Sequence, residues 1–552
     1  MKIERLFDFL ENYKASYPQK QDALASKVDG EWVKYSIQEY SDIVRDLAYG
    51  LINLGVKKGD KIASISPNAP EWNFIDMAAS SIGAIHVPIY PTISPKDYEY
   101  IFNHAEVRMV FISGKLMYNK IVDILPKTPT VEKVFSFKEC KHAPNYKEVI
   151  DSGKANPKAD ELKEIQAEIK TDDLATLIYT SGTTGTMKGV MERMLNYMEQ
   201  YNGISIYYAE NMATIIDNIQ ELKVDMMSTV PRLLEKVYDK IVARGEALEG
   251  FKRKVFDWAL ELGFNYDEYG NNSAIYKMKL AVADKLVFSK WRDAFGGNMS
   301  VMVSGGAALQ PRLGRIFWAA GIPVVEGYGL TETSPVISVN TLKAGELLIG
   351  SVGVLLADVE VKIADDGEIL SKGPNLMLGY YKEDALTKEV IVDGWFHTGD
   401  LGEIIDNKFV KITGRKKDLF KTSMGKYVAP GHIEDTLKES SFIDIPVVIG
   451  ENQKFASALI IPNFEHIKDW CKKNGKSCPT NEQIIDDEDV KKKIKEEIAV
   501  LNKKFGSHEQ IKQFRLIADE WTVESGYVTA KMSIKRPVVM KAYSHLIEDI
   551  YK

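Results

Sequence analysis

Cysteine is scarce in this sequence, since only Cys140, Cys471 and Cys478 occur in 552 residues. Their spacing matches no metal site, and an odd, sparse count of cysteines is typical of a reducing compartment. The sequence also lacks an apolar run of transmembrane length, and no signal-peptide core follows Met1. These absences predict a cytoplasmic protein without a membrane-spanning helix.

An excess of positive charge is also absent, because 71 lysines and arginines face 78 acidic residues, which gives a formal net charge of −7. This balance argues against a nucleic-acid-binding protein and gives no support for a basic patch that binds membranes. Neither internal repeats nor low-complexity tracts are present. The composition is that of an ordinary globular protein, 45% hydrophobic and 27% charged. A chain of this length predicts roughly two to four domains.

Helix and strand patterns alternate through the first third of the chain. Ser36 and Glu39 form a capping box that predicts a helix over 36–55, where Gly55 ends it. Alternation of this kind predicts a parallel sheet in an α/β domain. The other elements predicted there are strands over 61–66, 84–90 and 109–113 and helices over 72–82 and 95–104.

The pattern of the sequence changes after Gly350. Short strands over 359–363, 368–371 and 409–413, with turn residues between them, predict a small β subdomain. Further on, Val490, Ile494 and Ile498 recur along one face of a predicted helix. Such a helix packs its apolar face on a small domain.

The stretch YTSGTTGTMKGV over 179–190 has the strongest chemical signal in the chain. It follows an apolar run over 174–178 that predicts a strand. Its glycines allow a close approach to a ligand, its hydroxyls and backbone N–H groups suit phosphate oxygens, and Lys188 adds a positive charge. A flexible linker is the alternative, and the spacing is not that of a Walker A loop. The residues assigned to phosphate are Thr180, Ser181, Gly182, Thr183, Thr184, Gly185 and Lys188.

Two further stretches contain residues suited to a nucleotide. The small residues Gly305, Gly306 and Ala307 follow a predicted strand and let a flat ligand lie against the carboxyl edge of a sheet. A tight strand–helix turn is the alternative. Later in the chain Tyr328 offers a stacking face, and Glu332 offers a carboxylate of the kind that binds Mg²⁺ together with substrate phosphates. A lone glutamate in a loop is more often simply solvated.

The predicted β subdomain contains two motifs, GWFHTGD over 394–400 and GRKKD over 414–418. The carboxylate of Asp400 suits the hydroxyls of a ribose diol as an acceptor. The guanidinium of Arg415 suits ribose hydroxyls or phosphate. Ordinary surface turns are the alternative for both motifs.

Taken together and in this order, the motifs resemble those of the adenylate-forming superfamily, which includes firefly luciferase and the adenylation domains of peptide synthetases. Within it the chain is similar to long-chain fatty acyl-CoA synthetases, over about residues 5–552. YYAE over 207–210 and PRLLE over 231–235 resemble the fatty-acid branch in particular. The five specific stretches are 179–190, 327–333, 394–400, 414–418 and 425–430.

The resemblance implies an α/β fold with three parts. A large N-terminal domain of layered sheets and helices occupies 1–415 and includes the β subdomain over about 341–415. A hinge lies at 416–420, where Asp418 matches the hinge position, and a small, mobile α+β C-terminal domain follows over 421–552. In the implied reaction a fatty acid carboxylate attacks the α-phosphate of ATP, giving acyl-adenylate and pyrophosphate. The C-terminal domain then rotates, and the CoA thiol attacks the acyl carbonyl and releases AMP.

The resemblance also implies roles for single residues. The loop over 180–188 closes on the β- and γ-phosphates, Thr184 and Glu332 hold Mg²⁺, Asp400 takes the ribose hydroxyls and Arg415 contacts the ribose side. The implied catalytic residues are Lys531, Thr184 and Glu332. Lys535 is the alternative to Lys531, because the spacing of this motif differs from the family pattern. The other nucleotide- or CoA-binding residues are Gly305, Gly306, Ala307, Tyr328, Gly329, Thr331 and Lys426.

One departure from the family lies directly after the phosphate loop. Relatives have a helix and a Leu-Pro-Leu-Ser-His strand between the segments that match Met191 and Glu192, which are adjacent here. Losing an inner strand exposes backbone groups and apolar surface of its neighbours. The junction therefore predicts a chain that is less stable than its relatives, or inactive. A smaller departure is Met424, where relatives usually have glycine in the loop that nears CoA.

The sequence thus predicts an ATP-dependent ligase that joins a long-chain fatty acid to CoA and uses Mg²⁺. Two alternatives stay open: a non-catalytic relative that keeps the nucleotide site, and a ligase for another acid such as an aryl or medium-chain substrate. Because fatty acids partition into bilayers, peripheral association with the inner membrane face is compatible with the sequence. No basic amphipathic anchor is evident, and the sequence does not indicate an oligomeric state.

Overall fold

The structure is a computed structural model that describes residues 2–179, 191–211, 214–268, 272–477, 480–522, 525–528 and 534–552. The chain forms two compact units, Met1–Asn218 and Ile219–Lys552. Each unit has its own sheets, and each is described by itself. The predicted boundary at 416–420 falls inside the second unit and stays a prediction.

The first unit alternates strands and helices, as the sequence predicts. Its strands are β1 (Leu24–Val28), β2 (Glu31–Tyr35), β3 (Lys61–Ile65), β4 (Ile85–Ile89), β5 (Val107–Ile112), β6 (Lys133–Ser136) and β7 (Ile206–Tyr208). Its helices are α1 (Asp8–Ser16), α2 (Ile37–Asn53), α3 (Pro70–Ser81), α4 (Pro95–Ala105), α5 (Lys115–Ile121), α6 (Lys147–Ala155), α7 (Ala159–Glu168), α8 (Met191–Tyr201) and α9 (Ile215–Leu222), the last of which continues into the second unit.

A four-stranded parallel sheet in the order β4-β3-β5-β6 forms the centre of the first unit. Helix α2 begins where the sequence predicts, because the Ser36 side chain accepts the backbone N–H of Glu39 while the Glu39 carboxylate accepts the N–H of Ser36. The buried side of α2 includes Tyr40 and Leu47, which share a core with Phe74 of α3. The predicted parallel sheet and its capped helix are thus confirmed.

The predicted strand over 174–178 is wrong. Thr176 forms one isolated parallel bridge to His86, and the N–H of Leu177 donates a 3.0 Å hydrogen bond to the carbonyl of His86. A strand needs a neighbour along its length. Among the described residues this segment has that pairing at a single position.

The second unit begins within α9 and contains the longest sheet. Its strands are β8 (Met226–Thr229), β9 (Val301–Ser304), β10 (Val324–Tyr328), β11 (Ser338–Val339), β12 (Val354–Leu355), β13 (Glu360–Ile363), β14 (Glu368–Lys372), β15 (Ile391–Val392), β16 (Trp395–Ile405), β17 (Phe409–Arg415), β18 (Phe420–Lys421), β19 (Tyr427–Val428), β20 (Ile443–Ile449), β21 (Ser457–Pro462) and β22 (Gln513–Leu516). Its α-helices are α10 (Pro231–Glu246), α11 (Gly250–Phe264), α12 (Ala274–Ala283), α13 (Ser289–Ala294), α14 (Pro311–Ala319), α15 (Asp384–Val390), α16 (Pro430–Leu437), α17 (Phe464–Lys473), α18 (Asn481–Asp486), α19 (Glu488–Leu501), α20 (Arg536–Ala542) and α21 (Ser544–Tyr551).

The long sheet runs in the order β13-β14-β16-β17-β12-β11-β10-β9-β8, with β15 paired to β16. Strands β8, β9 and β10 are parallel, whereas the strands of the region after Gly350 pair antiparallel, which confirms the predicted change to a β region. In the described part of the chain β8 is the outer strand of this sheet. Met226 and Met227 on β8 are only half-buried.

The C-terminal part of the second unit folds around the three-stranded sheet β20-β21-β22. Helix α19 buries Val490, Ile494 and Ile498 against this sheet's core, so the predicted amphipathic helix is confirmed. The C-terminal part also contacts α10, because Arg232 Nη2 lies 2.5 Å from Asp444 Oδ1. Within the described ranges, none of the helices combines the length and the apolar character that spanning a bilayer requires.

Candidate functional site

The predicted nucleotide residues of the second unit meet at one edge of the long sheet. Strands β9 and β10 are parallel neighbours with Glu326 opposite Ser304, so their carboxyl ends point the same way. The small-residue loop that starts at Gly305 and the segment that starts at Tyr328 leave the sheet at this edge. Open α/β sheets bind ligands at such an edge.

The small-residue loop leaves β9 through a tight turn. The N–H of Gly305 donates a 3.2 Å hydrogen bond to the carbonyl of Thr229, and Gly306 has a φ of +84°, a region that favours glycine. The Ser304 side chain beside them is buried, and its hydroxyl has no hydrogen-bond partner among the residues described. The edge therefore combines exposed backbone with an unsatisfied polar group.

Tyr328, Asp400 and Arg415 form a continuous set of contacts. The hydroxyl of Tyr328 donates a 2.8 Å hydrogen bond to Asp400 Oδ2, and Arg415 Nε lies 3.0 Å from Asp400 Oδ1. Asp400 and Arg415 face each other across β16 and β17. Burial and the nearby Asp400 carboxylate raise the pKa of the Tyr328 hydroxyl, so it stays protonated and acts as the donor.

Exposure differs along this set of contacts. The Asp400 side chain is 3% exposed, whereas the Arg415 side chain is 47% exposed. The buried carboxylate of Asp400 thus accepts a hydrogen bond from the buried Tyr328 and pairs with Arg415, which reaches solvent.

Gly329 has a steric reason to be glycine. A Cβ placed there would lie 1.6 Å from the carbonyl oxygen of Pro335 and 2.8 Å from Cα of Val336. No side chain can occupy that space without moving the backbone. The glycine therefore permits the close packing of the turn that presents Thr331 and Glu332.

Glu332 lies in a short 3₁₀ turn, Thr331–Thr333, directly after this glycine. Its carboxylate is buried, and Oε1 accepts a 3.0 Å hydrogen bond from the hydroxyl of Tyr380. Burial and the Glu332 carboxylate raise the pKa of Tyr380. Carboxylate and hydroxyl oxygens are ligands of the kind that hard cations such as Mg²⁺ prefer.

Two buried acids near the edge were not singled out from the sequence. Glu326 on β10 accepts the backbone N–H of Leu309 at 3.0 Å, and burial raises its pKa to about 7. Glu368 on β14 accepts from Lys416 at 2.9 Å and from His397 at 3.0 Å. Burial alone would raise the pKa of Glu368, but these hydrogen bonds hold it below the usual range. Glu368 lies in a predicted strand, and neither acid has a local sequence signal that marks it as a site residue.

Other predicted residues lie elsewhere or outside the described ranges. The phosphate-loop residues Thr180, Ser181, Gly182, Thr183, Thr184, Gly185 and Lys188, together with Lys531, lie outside the residues that the structure describes. Lys426 and Met424 are exposed in the turn between β18 and β19. There the backbone N–H of Thr422 donates to the carbonyl of Lys426, and the N–H of Lys426 donates to the hydroxyl of Thr422. Lys535 is exposed just before α20.

Comparison with known proteins places this geometry in context. The model of the AMP-binding enzyme family matches residues 10–212 and 200–381, and the model of the AMP-binding enzyme C-terminal domain matches 417–552. The first two stretches overlap at 200–212. The match to the first model is therefore divided at 200–212, a short way after Met191 and Glu192.

Curated relatives cover almost the whole chain. The long-chain-fatty-acid–CoA ligase FadD15 of Mycobacterium bovis is 31% identical over 95% of this chain and 93% of its own length. Long chain acyl-CoA synthetase 4 of Arabidopsis thaliana is 30% identical over 95% of this chain and 87% of its own. The alignment with the M. bovis ligase is 565 residues long, longer than this chain, so it includes positions that this chain lacks.

Solved structures share the fold at lower identity. The adenylation domain of a carboxylate reductase from Mycobacterium chelonae has a TM-score of 0.75 at 18% identity, over 99% of this chain and 91% of its own. A fatty acyl CoA synthetase of Mycobacterium tuberculosis has a TM-score of 0.56 at 18% identity, over 98% of this chain and 99% of its own. The predicted fold class and the predicted family are confirmed.

Proposed function

This chain belongs to the AMP-binding enzyme family, and from that premise we propose that it is an ATP-dependent ligase for long-chain fatty acids. A fatty acid carboxylate attacks the α-phosphate of ATP, which gives an acyl-adenylate and pyrophosphate. The thiol of CoA then attacks the acyl carbonyl and releases AMP. Relatives named as long-chain ligases and synthetases, at about 30% identity over 95% of the chain, support this substrate class.

The observation that carries the proposal is the contact between Tyr328, Asp400 and Arg415 at the carboxyl edge of the sheet. We assign the ribose hydroxyls to Asp400, because a buried carboxylate is a hydrogen-bond acceptor and its neighbour Arg415 reaches solvent. Arg415 lies on the solvent side of Asp400 and is assigned to the ribose and the phosphates. The adenine ring lies against the Gly305–Gly306–Ala307 backbone.

We further propose that Glu332 and Thr184 hold Mg²⁺. The buried carboxylate of Glu332, hydrogen-bonded by the Tyr380 hydroxyl, fits a hard cation with oxygen ligands. When bound, Mg²⁺ neutralises charge on the phosphates of ATP. A fatty acid carboxylate is already ionised near pH 7, so the first step needs positioning and charge neutralisation and no general base. Lys531, with Lys535 as the alternative, is assigned to the α-phosphate.

The second step involves the C-terminal part of the chain. We propose that residues 421–552 rotate about the hinge at 416–420 and bring the turn with Met424 and Lys426 towards CoA. Lys416 at the start of this segment is held by Asp366 at 2.6 Å and by Glu368 at 2.9 Å. We propose that these ion pairs anchor Lys416, the first residue of the hinge.

We also propose a peripheral association with a membrane, because a long-chain fatty acid partitions into bilayers. The scarcity of cysteine supports a cytoplasmic location. The ligase hypothesis itself does not depend on either statement.

A second candidate function is nucleotide or acyl binding without turnover. Strand β8 supports it, since a strand of a parallel sheet is normally covered on both faces. Here Met226 and Met227 are half-buried at the outer edge of the described sheet. We propose that the segment missing between Met191 and Glu192 covers this edge in relatives.

A single-turnover assay separates the two functions. Purified protein is mixed with palmitate, ATP, Mg²⁺ and CoA, and acyl-adenylate, AMP and palmitoyl-CoA are followed in time. Formation of all three products supports the ligase. Adenylate without thioester places the defect in the second step and directs attention to Met424. A folded protein that binds ATP but releases no AMP supports the non-catalytic alternative.

A further inference from the structure

Four large apolar side chains form an exposed stripe along one helix of the second unit. They lie on α12 and on the π-helical turn Asp284–Phe288 that continues it. Their spacing of three, four and four residues places them on one helical face. These residues, here called the α12 stripe, are Ile275 (68% exposed), Met278 (72%), Val282 (52%) and Leu286 (45%).

The opposite face of the same helix anchors it to the protein. Ala283, Val287 and Phe288 are buried, and Phe288 packs edge-to-face on Trp291 with ring centroids 5.5 Å apart. The hydroxyl of Tyr276 donates a 2.7 Å hydrogen bond to the carbonyl of Leu262 on α11. The helix is therefore held in place without any use of the α12 stripe.

Positive charge borders the stripe. By helical spacing Lys279 lies on one side of it and Lys285 on the other, and both are exposed. Lys277 and Lys290 are exposed in the same segment. The single acidic residue in the sequence from 273 to 291 is Asp284, and Arg292 Nη1 neutralises it at 2.5 Å. The segment is thus cationic in a chain whose net charge is −7.

This combination has a specific physical meaning. Single exposed apolar residues are ordinary, whereas a continuous apolar stripe marks an interaction surface. A helix with an apolar face flanked by lysines lies in the plane of a membrane interface, with its apolar side chains at the boundary of headgroups and acyl chains. The lysine stems extend along the apolar layer while their ammonium groups reach the phosphates.

We propose that the α12 stripe docks this protein on the surface of an anionic lipid bilayer. The flanking lysines favour a bilayer over a second copy of this chain, because two copies packed stripe to stripe would bring like charges together. An anionic bilayer instead supplies the opposite charge together with an apolar layer. The proposal rests on the proposed function only in its choice of a lipid surface, since the docking needs neither ATP nor CoA.

The test is a vesicle flotation assay with the full chain in the absence of ATP and CoA. We expect the protein to float with vesicles of phosphatidylcholine and phosphatidylglycerol and to stay in solution with phosphatidylcholine alone. Raising the salt concentration should weaken binding, because exposed charges are screened. No flotation with the anionic vesicles at low salt would overturn the proposal.

Variants locate the surface. In Ile275→Ser/Met278→Ser the partition coefficient should fall about tenfold or more, because two apolar anchors are lost. The variant Lys279→Gln/Lys285→Gln should lose most of the salt dependence. The matched control is Leu116→Ser/Leu378→Ser, which removes two side chains that are 80% and 77% exposed and belong to segments of the chain other than α12. Binding that the control weakens as much as the stripe variant does would overturn the assignment.

Two further measurements keep the outcome clear. Thermal unfolding of each variant shows that the exposed substitutions leave the fold intact, as expected for surface positions. Size-exclusion chromatography reports self-association, and a dimer that the stripe variant dissociates would overturn the membrane assignment in favour of a second copy. Failure of the ligase assay leaves vesicle binding unaffected, so the two proposals fail separately.

Discussion

The hydroxyl of Tyr328 donates a 2.8 Å hydrogen bond to Asp400, which lies 72 residues further along the chain. This bond joins two motifs that the sequence identifies separately. Because burial keeps the tyrosine protonated, Asp400 always has a donor on its inner side. The carboxylate is therefore held in one orientation between Tyr328 and Arg415.

The first prediction concerns this bond. Tyr328→Phe removes the donor but keeps the ring, so Asp400 loses the hydrogen bond from this hydroxyl. A hydrogen bond to a charged group is worth about 1.5–3 kcal/mol, and we expect ATP to bind about tenfold more weakly or worse, as measured by equilibrium dialysis. The control is Tyr276→Phe, which removes a half-buried hydroxyl that donates to the carbonyl of Leu262. Equal ATP affinity in the two variants would contradict the assigned role of Asp400.

The second prediction separates charge from shape at Glu332. Glu332→Gln keeps an acceptor for the Tyr380 hydroxyl but removes the negative charge, so the fold should persist. We expect adenylate formation to slow about 100-fold or more, because loss of one electrostatic contact in an active site has effects of this size. The concentration of Mg²⁺ needed for half-maximal rate should rise.

The matched control for that prediction is Glu326→Gln, another buried glutamate of the same region. It should leave the Mg²⁺ dependence unchanged. If both variants shift the Mg²⁺ requirement equally, Glu332 has no special relation to the metal.

The third prediction concerns a steric requirement. In Gly329→Ala the added methyl group meets the carbonyl oxygen of Pro335 at 1.6 Å, so the turn before Glu332 must move. Overpacking of this kind costs about 1–3 kcal/mol or more, and we expect the melting temperature to fall by several degrees. Gly431→Ala in α16 is the control, because nothing lies within 4 Å of its added methyl group. Equal melting temperatures in the two variants would mean that the turn is freely adaptable.

The fourth prediction concerns pH. The pKa of Glu326 is about 7 in the folded protein, whereas a glutamate in the unfolded chain has a pKa of about 4.3. The folded state therefore binds more protons between these values. The stabilisation is complete below the unfolded pKa and is lost as the pH rises through the folded pKa, by about 4 kcal/mol in total.

Thermal unfolding at pH 5 and pH 8 tests this expectation. The melting temperature of the parent should fall between the two values more than that of Glu326→Gln, because the variant cannot titrate at this position. Other titratable groups change the melting temperature of the parent and of the variant by the same amount. Parallel pH profiles would show that Glu326 ionises normally in the folded state.

The fifth prediction concerns the contact of Arg232 with Asp444. This pair joins α10, which begins with a motif similar to the fatty-acid branch, to the C-terminal part of the chain. Both side chains are about 30% exposed, so we expect a coupling of about 1 kcal/mol. A double-mutant cycle with Arg232→Ala and Asp444→Ala measures it by chemical denaturation. Strictly additive effects would show that the pair does not hold the C-terminal part in place.

The sequence by itself determined the elements whose signals are local. The capping box of Ser36 and Glu39 fixes the start of α2 because both partners lie within one turn. The repeat of Val490, Ile494 and Ile498 fixes the buried face of α19 for the same reason. The order of the five motifs was enough to predict the family, since each motif is a short contiguous stretch.

Only the tertiary structure decided what depends on distant neighbours. The segment over 174–178 has the composition of a strand, but a strand exists through its partners, and here one bridge to His86 forms. The pairing of Glu368 with Lys416, 48 residues away, depends on the register of three strands. No local pattern contains that register.

The α12 helix gives the same contrast within one element. Apolar residues occur all around it, so its sequence predicts a helix without indicating which side is buried. Packing against α11 and α13 buries Phe288 and Val287 and leaves Ile275 and Met278 in solvent. Local propensity and motif order are properties of the sequence, whereas burial, charge pairing and exposed surface are settled by which distant segments come together.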